Sequence, residues 1–278
     1  MAEDLALRRE EEAAALVEPV RQRQGVYRYR FGLAYLALAI LAGAGIGSAF
    51  VVLDRPAKQS DLWSTWRPVG SQATFDSQIA NYVAGRYRLP SGNPLVLVVP
   101  GPPTISDGDT ELAIRSVVIQ DDPRGDANGF RNVDIGESRM YQLCGQGDRC
   151  SVGGGTPTPE RLQVLRREAL ELALYTFKYG DDIDTVIALL PPNLGDTDDT
   201  SDDAAVALFF EKSALRNQLE QPLRRTLLSA NPPQAAELDT RESLIIEQLT
   251  GNRLFLYQFQ QVQAGGAVML LARPNPLG

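Results

Sequence analysis

The sequence predicts an α+β domain behind a single membrane-spanning helix, and three observations carry that prediction. Residues 31–53 form a run of 23 without one Asp, Glu, Lys or Arg. At a rise of about 1.5 Å per residue, such a helix crosses the roughly 30 Å hydrocarbon core of a bilayer. Two short apolar runs, 95–99 and 186–190, are each halted by prolines, the pattern of strands buried on both faces. Residues 159–179 repeat apolar side chains at helical spacing. Strands and helices do not alternate strictly, so the expected arrangement is one mixed sheet of about seven strands with helices packed on it.

The flanks of the apolar run set its expected orientation. Arg21, Arg23, Arg28 and Arg30 precede it with no acid among them, whereas Asp54, Arg55, Lys58 and Asp61 are mixed after it. Residues 1–30 are therefore expected as a cytoplasmic tail, 31–53 as the transmembrane helix, 54–72 as a juxtamembrane connector and 73–278 as the extracytoplasmic domain. The expected location is the plasma membrane, in a bacterial cell envelope. Tyr27, Tyr29 and Tyr35 inside, and Trp63 and Trp66 outside, are expected at headgroup level. A soluble core helix and a cleaved signal peptide are the rival readings. The first lacks a polar face; the second is unusual in following 30 residues with an overlong apolar run. Within the run, Ala39, Gly43 and Gly47 place small residues on one face, where a second membrane helix packs closely. That helix belongs either to another copy of the chain or to a larger membrane complex.

Composition narrows the chemistry. The net charge of −8 lies wholly beyond the first 30 residues, which hold six acids and six arginines. An acidic domain offers no electrostatic footprint for nucleic acid. There is no histidine, hence neither the commonest general base near neutral pH nor the commonest metal ligand. Cys144 and Cys150 lie six positions apart on the expected oxidising side, so a disulfide is the default.

In chain order, 75–87 repeats Phe75, Ile79, Tyr82, Val83 and Tyr87 as a helical stripe. The runs 95–99, 114–120 and 140–143 are expected strands, with a loop over 121–129. Thr158 is the expected N-cap of the long helix and Pro159 its first residue. Its stripe is Leu162, Leu165, Ala169, Leu172, Ala173 and Thr176, widened by Leu170, Leu174 and Phe177, with Gln163, Arg166, Arg167 and Glu171 elsewhere. Strands 186–190 and 206–210 follow, then helical pieces 213–228, broken at Pro222, and 241–250. A hairpin closes the chain, with Phe255, Tyr257 and Phe259 on one face and a two-residue turn at Gly265-Gly266.

Candidate sites are few. Gly153, Gly154, Gly155, Thr156 and Arg161 approach a helix N-terminus, where an anion is accepted, although no Walker-type lysine follows; a Gly-rich connector is the simpler reading. Asp196, Asp198, Asp199, Asp202 and Asp203 offer carboxylates to a hard cation but miss the EF-hand pattern, so a solvated loop is favoured and no metal is assigned. Asp181, Asp182 and Asp184 are the carboxylates available for acid/base work. No catalytic residue and no cofactor is assigned. The leading expectation is an envelope protein that acts by protein–protein interaction, as an accessory, assembly or scaffold subunit. A ligand-binding or sensing module comes second and a carboxylate-dependent hydrolase third.

Overall fold

A computed structural model describes residues 62–103, 105–107, 110–121, 129–147, 150–152, 158–192, 205–262 and 265–274. All fall within one compact unit, Gln59–Gly278. The expected span 31–53, with Ala39, Gly43 and Gly47, lies outside the described residues. Among the described residues no helix is long and apolar enough to cross a membrane.

The domain is α+β. Helix α1 (Phe75–Ala84) buries Ile79, Ala80 and Val83, and Gly85 follows it. It is shorter than the stripe suggests, so Tyr87 lies beyond its end yet is buried. Strands β1 (Leu97–Pro100), β2 (Ile105–Asp107), β3 (Thr110–Leu112), β4 (Ile114–Gln120), β5 (Phe130–Val133) and β6 (Ser138–Cys144) come next. Helix α2 (Pro159–Tyr179) leads into β7 (Thr185–Leu189) and β8 (Val206–Glu211). Two short helices, α3 (Arg216–Glu220) and α4 (Thr240–Thr250), precede the closing strands β9 (Leu254–Gln261) and β10 (Ala267–Ala272).

Eight strands form one mixed sheet in the order β1-β6-β7-β8-β9-β10-β4-β5, and β2 with β3 makes a separate two-stranded ribbon. The sheet thus has one strand more than expected. β6 and β7 run parallel, an arrangement that needs a long crossover; α2 is the helix within it.

Two cores result. On one face Tyr141, Val186, Ala188, Leu208 and Phe210 pack with residues of α1 and α2. On the other, Val117, Ile119, Ile187, Leu189, Phe209, Phe255, Met269 and Leu271 form a cluster made of strand residues alone. Curvature explains how that face is buried without a helix. Arg131 on β5 bonds Glu211 on β8 at 2.8 Å and lies over the Phe209 ring at 5.5 Å, although three strands separate β8 from β5 in the sheet order. The sheet has curled part-way toward a barrel. β7 is buried along its whole length, as expected of a two-face strand. β1 is not: it lies at the sheet edge, where Leu97 and Val99 are 51% and 47% exposed and Val98 faces the core.

The closing hairpin forms, but its connection is longer than two residues. Gln261 pairs with Ala267, and the intervening turn is closed by the Val262 N–H donating to Gly266 O at 3.0 Å and the Gly265 N–H to Val262 O at 3.1 Å. Gly265 and Gly266 both have positive φ, 73° and 140°, which glycine adopts without steric cost.

Candidate functional site

The site is built on α2. The Thr158 hydroxyl accepts the Arg161 N–H at 3.2 Å and Pro159 opens the helix, so two signals in four residues fix its start. From 164 to 177 every residue is buried. Arg166, Arg167 and Glu171 do stand off the apolar stripe, but they are not solvated, and Leu162, assigned to the stripe, is 40% exposed. The widening by Leu170, Leu174 and Phe177 was the signal that this helix is enclosed on more than one side.

What encloses the polar side is a charged network. Arg167 donates from Nε to Glu242 Oε1 at 2.8 Å, from Nη1 to the Tyr87 hydroxyl at 2.5 Å and from Nη2 to Ser229 O at 3.0 Å. The Tyr87 hydroxyl in turn donates to Glu171 at 2.7 Å. Arg86 Nη1 bonds the other Glu171 oxygen at 2.5 Å, and its Nη2 donates to Ala230 O. Glu242 also accepts the Ser229 hydroxyl at 2.8 Å. Nearby, Arg166 joins α2 to Thr250 and Glu247 of α4.

Two guanidinium groups, Arg86 and Arg167, thus meet two carboxylates, Glu171 and Glu242. Burial works against the charge of Arg167, but Tyr87, Glu171 and Glu242 outweigh it and hold its pKa above the ordinary value. Burial, then Glu171, pushes the Tyr87 hydroxyl well up. Such a network contributes little net stability against an apolar replacement, but it defines one register for the groups it joins. Here it ties α2 to the chain after α1, to α4 and to 229–230.

A cavity of about 190 Å³ opens beside the network, lined by Arg86, Arg167 and Glu171, by Trp63, Tyr82 and Tyr175, and by Leu223 and Leu227. It is smaller than the roughly 300 Å³ at which drug-sized ligand pockets begin. Trp63 in its aromatic wall, and Trp66 beside it, have ring partners within the domain. Trp63 meets Tyr175 edge-on with centroids 5.2 Å apart, and Trp66 stacks on Tyr82 at 4.0 Å. The Trp63 indole donates to Gln218 O at 3.2 Å, and its carbonyl accepts the Leu223 N–H at 2.7 Å. Both rings belong to the packing of the domain, because α2 supplies Tyr175 and Tyr179 as partners that a membrane surface does not.

The remaining candidates divide. Cys144 and Cys150 are joined in a disulfide. Its loop requires glycine at 145, where a Cβ would lie 1.9 Å from Ser151 O. Gly153, Gly154, Gly155 and Thr156 lie outside the described residues, as do Asp196, Asp198, Asp199, Asp202 and Asp203. Arg161 is described, and its N–H is already taken by the Thr158 cap. Asp181, Asp182 and Asp184 are exposed, and Asp181 accepts from Gln72 at 2.8 Å. Among the described residues no group of three or more acids and cysteines is placed to hold a metal ion. No family model, no curated protein and no solved structure matches the chain.

Proposed function

We propose that the chain is a single-pass envelope protein whose extracytoplasmic domain acts by binding other proteins, as an accessory, assembly or scaffold subunit of a membrane complex. The observation that carries this reading is where the apolar and charged groups lie. The charged groups of the network are engaged with one another and with neighbouring backbone, while Leu97 and Val99 stand half-exposed on the edge strand β1. A sheet edge with exposed apolar side chains is a surface for another chain. The apolar run 31–53 with its arginine collar supports the anchor and its orientation, and the disulfide suits an oxidising compartment.

A second reading, a ligand-binding or sensing module, is favoured by the cavity between Trp63, Tyr175 and the Arg167–Glu171 pair. The hydrolase reading has no comparable support, because Asp181, Asp182 and Asp184 are exposed and Glu171 and Glu242 are salt-bridged.

The proposed topology has a direct check. A reporter that matures only outside the cytoplasm, fused after Gly278, is expected to be active in cells. Activity from a cytoplasm-only reporter at the same position would overturn the orientation, and with it an interaction surface outside the membrane.

A further inference from the structure

We propose that Glu168 makes the packing of α2 proton-dependent: its carboxyl group, sealed in the interior without a hydrogen-bond partner among the described residues, must keep a proton for the helix to hold its seat, so the domain loosens as pH rises. Glu168 is 0% exposed, and neither side-chain oxygen has a hydrogen-bond partner among the described residues. An ionised carboxylate in that position is shut off from bulk solvent and has no donor among the described residues to replace it, which is very costly; the protonated acid is far cheaper to bury.

The surroundings reinforce this. Of the charges on its own buried stretch of helix, Arg166 is held by Thr250 and Glu247 of α4, and Arg167 has Nε, Nη1 and Nη2 engaged by Glu242, Tyr87 and Ser229. Glu171 is a like charge. From the chain after α1 come Tyr87 and Arg86, both already bonded to Glu171, and from α4 comes Glu242, held by Arg167. β7 and β8 present Val186, Ala188, Leu208 and Phe210 to this core. The charged residues of α3 and Glu237 of the turn Ala235–Glu237 are exposed. The guanidinium groups of Arg86, Arg166 and Arg167 each have a carboxylate of their own in Glu171, Glu247 and Glu242, so ionising Glu168 would add one negative charge in excess. In agreement, burial first and Glu171 second push its pKa well above the usual carboxylate value.

The direction of the linkage follows. Between an unfolded value of about 4.5 and the higher folded value, the folded state holds one proton more than the unfolded chain, so its stability falls as pH rises. The loss is about tenfold in the folding constant per pH unit. It ends at the folded value, above which both states are ionised.

The test is thermal unfolding of the full chain in mild detergent, from pH 4.5 to pH 8.5, beside Glu168→Gln. Gln keeps the shape and needs no proton. The variant is expected to match the parent near pH 4.5 and to exceed it increasingly as pH rises, by at least about 3 °C in Tm at pH 7.5. Glu168→Met, apolar and of similar length, is expected to show the same widening, and it decides the matter if Gln fails to fold. A difference from the parent that stays constant with pH would overturn the proposal. So would failure of both variants to fold, since a side chain with no proton to lose should be tolerated at least as well as the acid.

Discussion

Replacing Arg167 with Met is expected to destabilise the domain by about 3–5 kcal/mol, enough to unfold much of it. The side chain is 1% exposed, and its partners Glu242 and Glu171 are 0% and 1% exposed. Removing the guanidinium leaves Glu242, among the described residues, with Ser229 as its donor, and two buried carboxylates short of one compensating charge. The double variant Arg167→Met with Glu242→Met removes one charge of each sign and is expected to recover a large part of the loss. Denaturant midpoints of the two variants and of Glu242→Met alone give the coupling. A cost below about 1 kcal/mol for Arg167→Met would mean that the pair is hydrated like a surface ion pair.

The second large effect is expected at Trp63. Trp63→Ala should cost roughly 2–4 kcal/mol, less than a fully buried Trp, because the ring is only partly buried. The substitution removes the edge contacts with Tyr175 and Tyr179, the cation–π contact with Lys178 and the indole hydrogen bond to Gln218. Thermal unfolding in detergent reads the loss, with Leu62→Ala, at a residue 47% exposed, as the control. An unchanged Tm would contradict the part assigned to Trp63 in the packing of the domain.

How much of this was legible in the sequence depended on how local each cause is. The start of α2 was legible because Thr158 and Pro159 act within one turn, and β7 because an apolar run ended by Pro191-Pro192 permits little else. Strand β5, with Phe130, Arg131, Asn132 and Val133, has neither an apolar run nor clean alternation, and it forms by pairing with β4 and by lying where Arg131 can reach Glu211. The curl that buries the second core is set by the whole sheet and leaves no short signature. The buried network was hidden for a related reason: an Arg and a Glu four residues apart on a helix look alike whether solvated or enclosed. The deciding partners, Tyr87 and Glu242, are 80 and 75 residues away from Arg167. Glu168 shares that fate, since only the packed structure reveals that no hydrogen-bond donor among the described residues meets it. For Trp63 and Trp66, proximity to the apolar run outweighed the possibility of aromatic partners more than a hundred residues on, such as Tyr175 and Tyr179.

The central claim is that this membrane-anchored chain works in association with other chains, and the protein mass of the particle purified in mild detergent tests it most directly. Light scattering with the detergent contribution subtracted is expected to give a protein mass well above the 30.3 kDa of one chain. Gly43→Ile together with Gly47→Ile should bring it down towards one chain, at about 1–2 kcal/mol of association per site, whereas Leu36→Ile with Leu41→Ile should not. A protein mass of one chain for the parent and both variants alike would contradict the account.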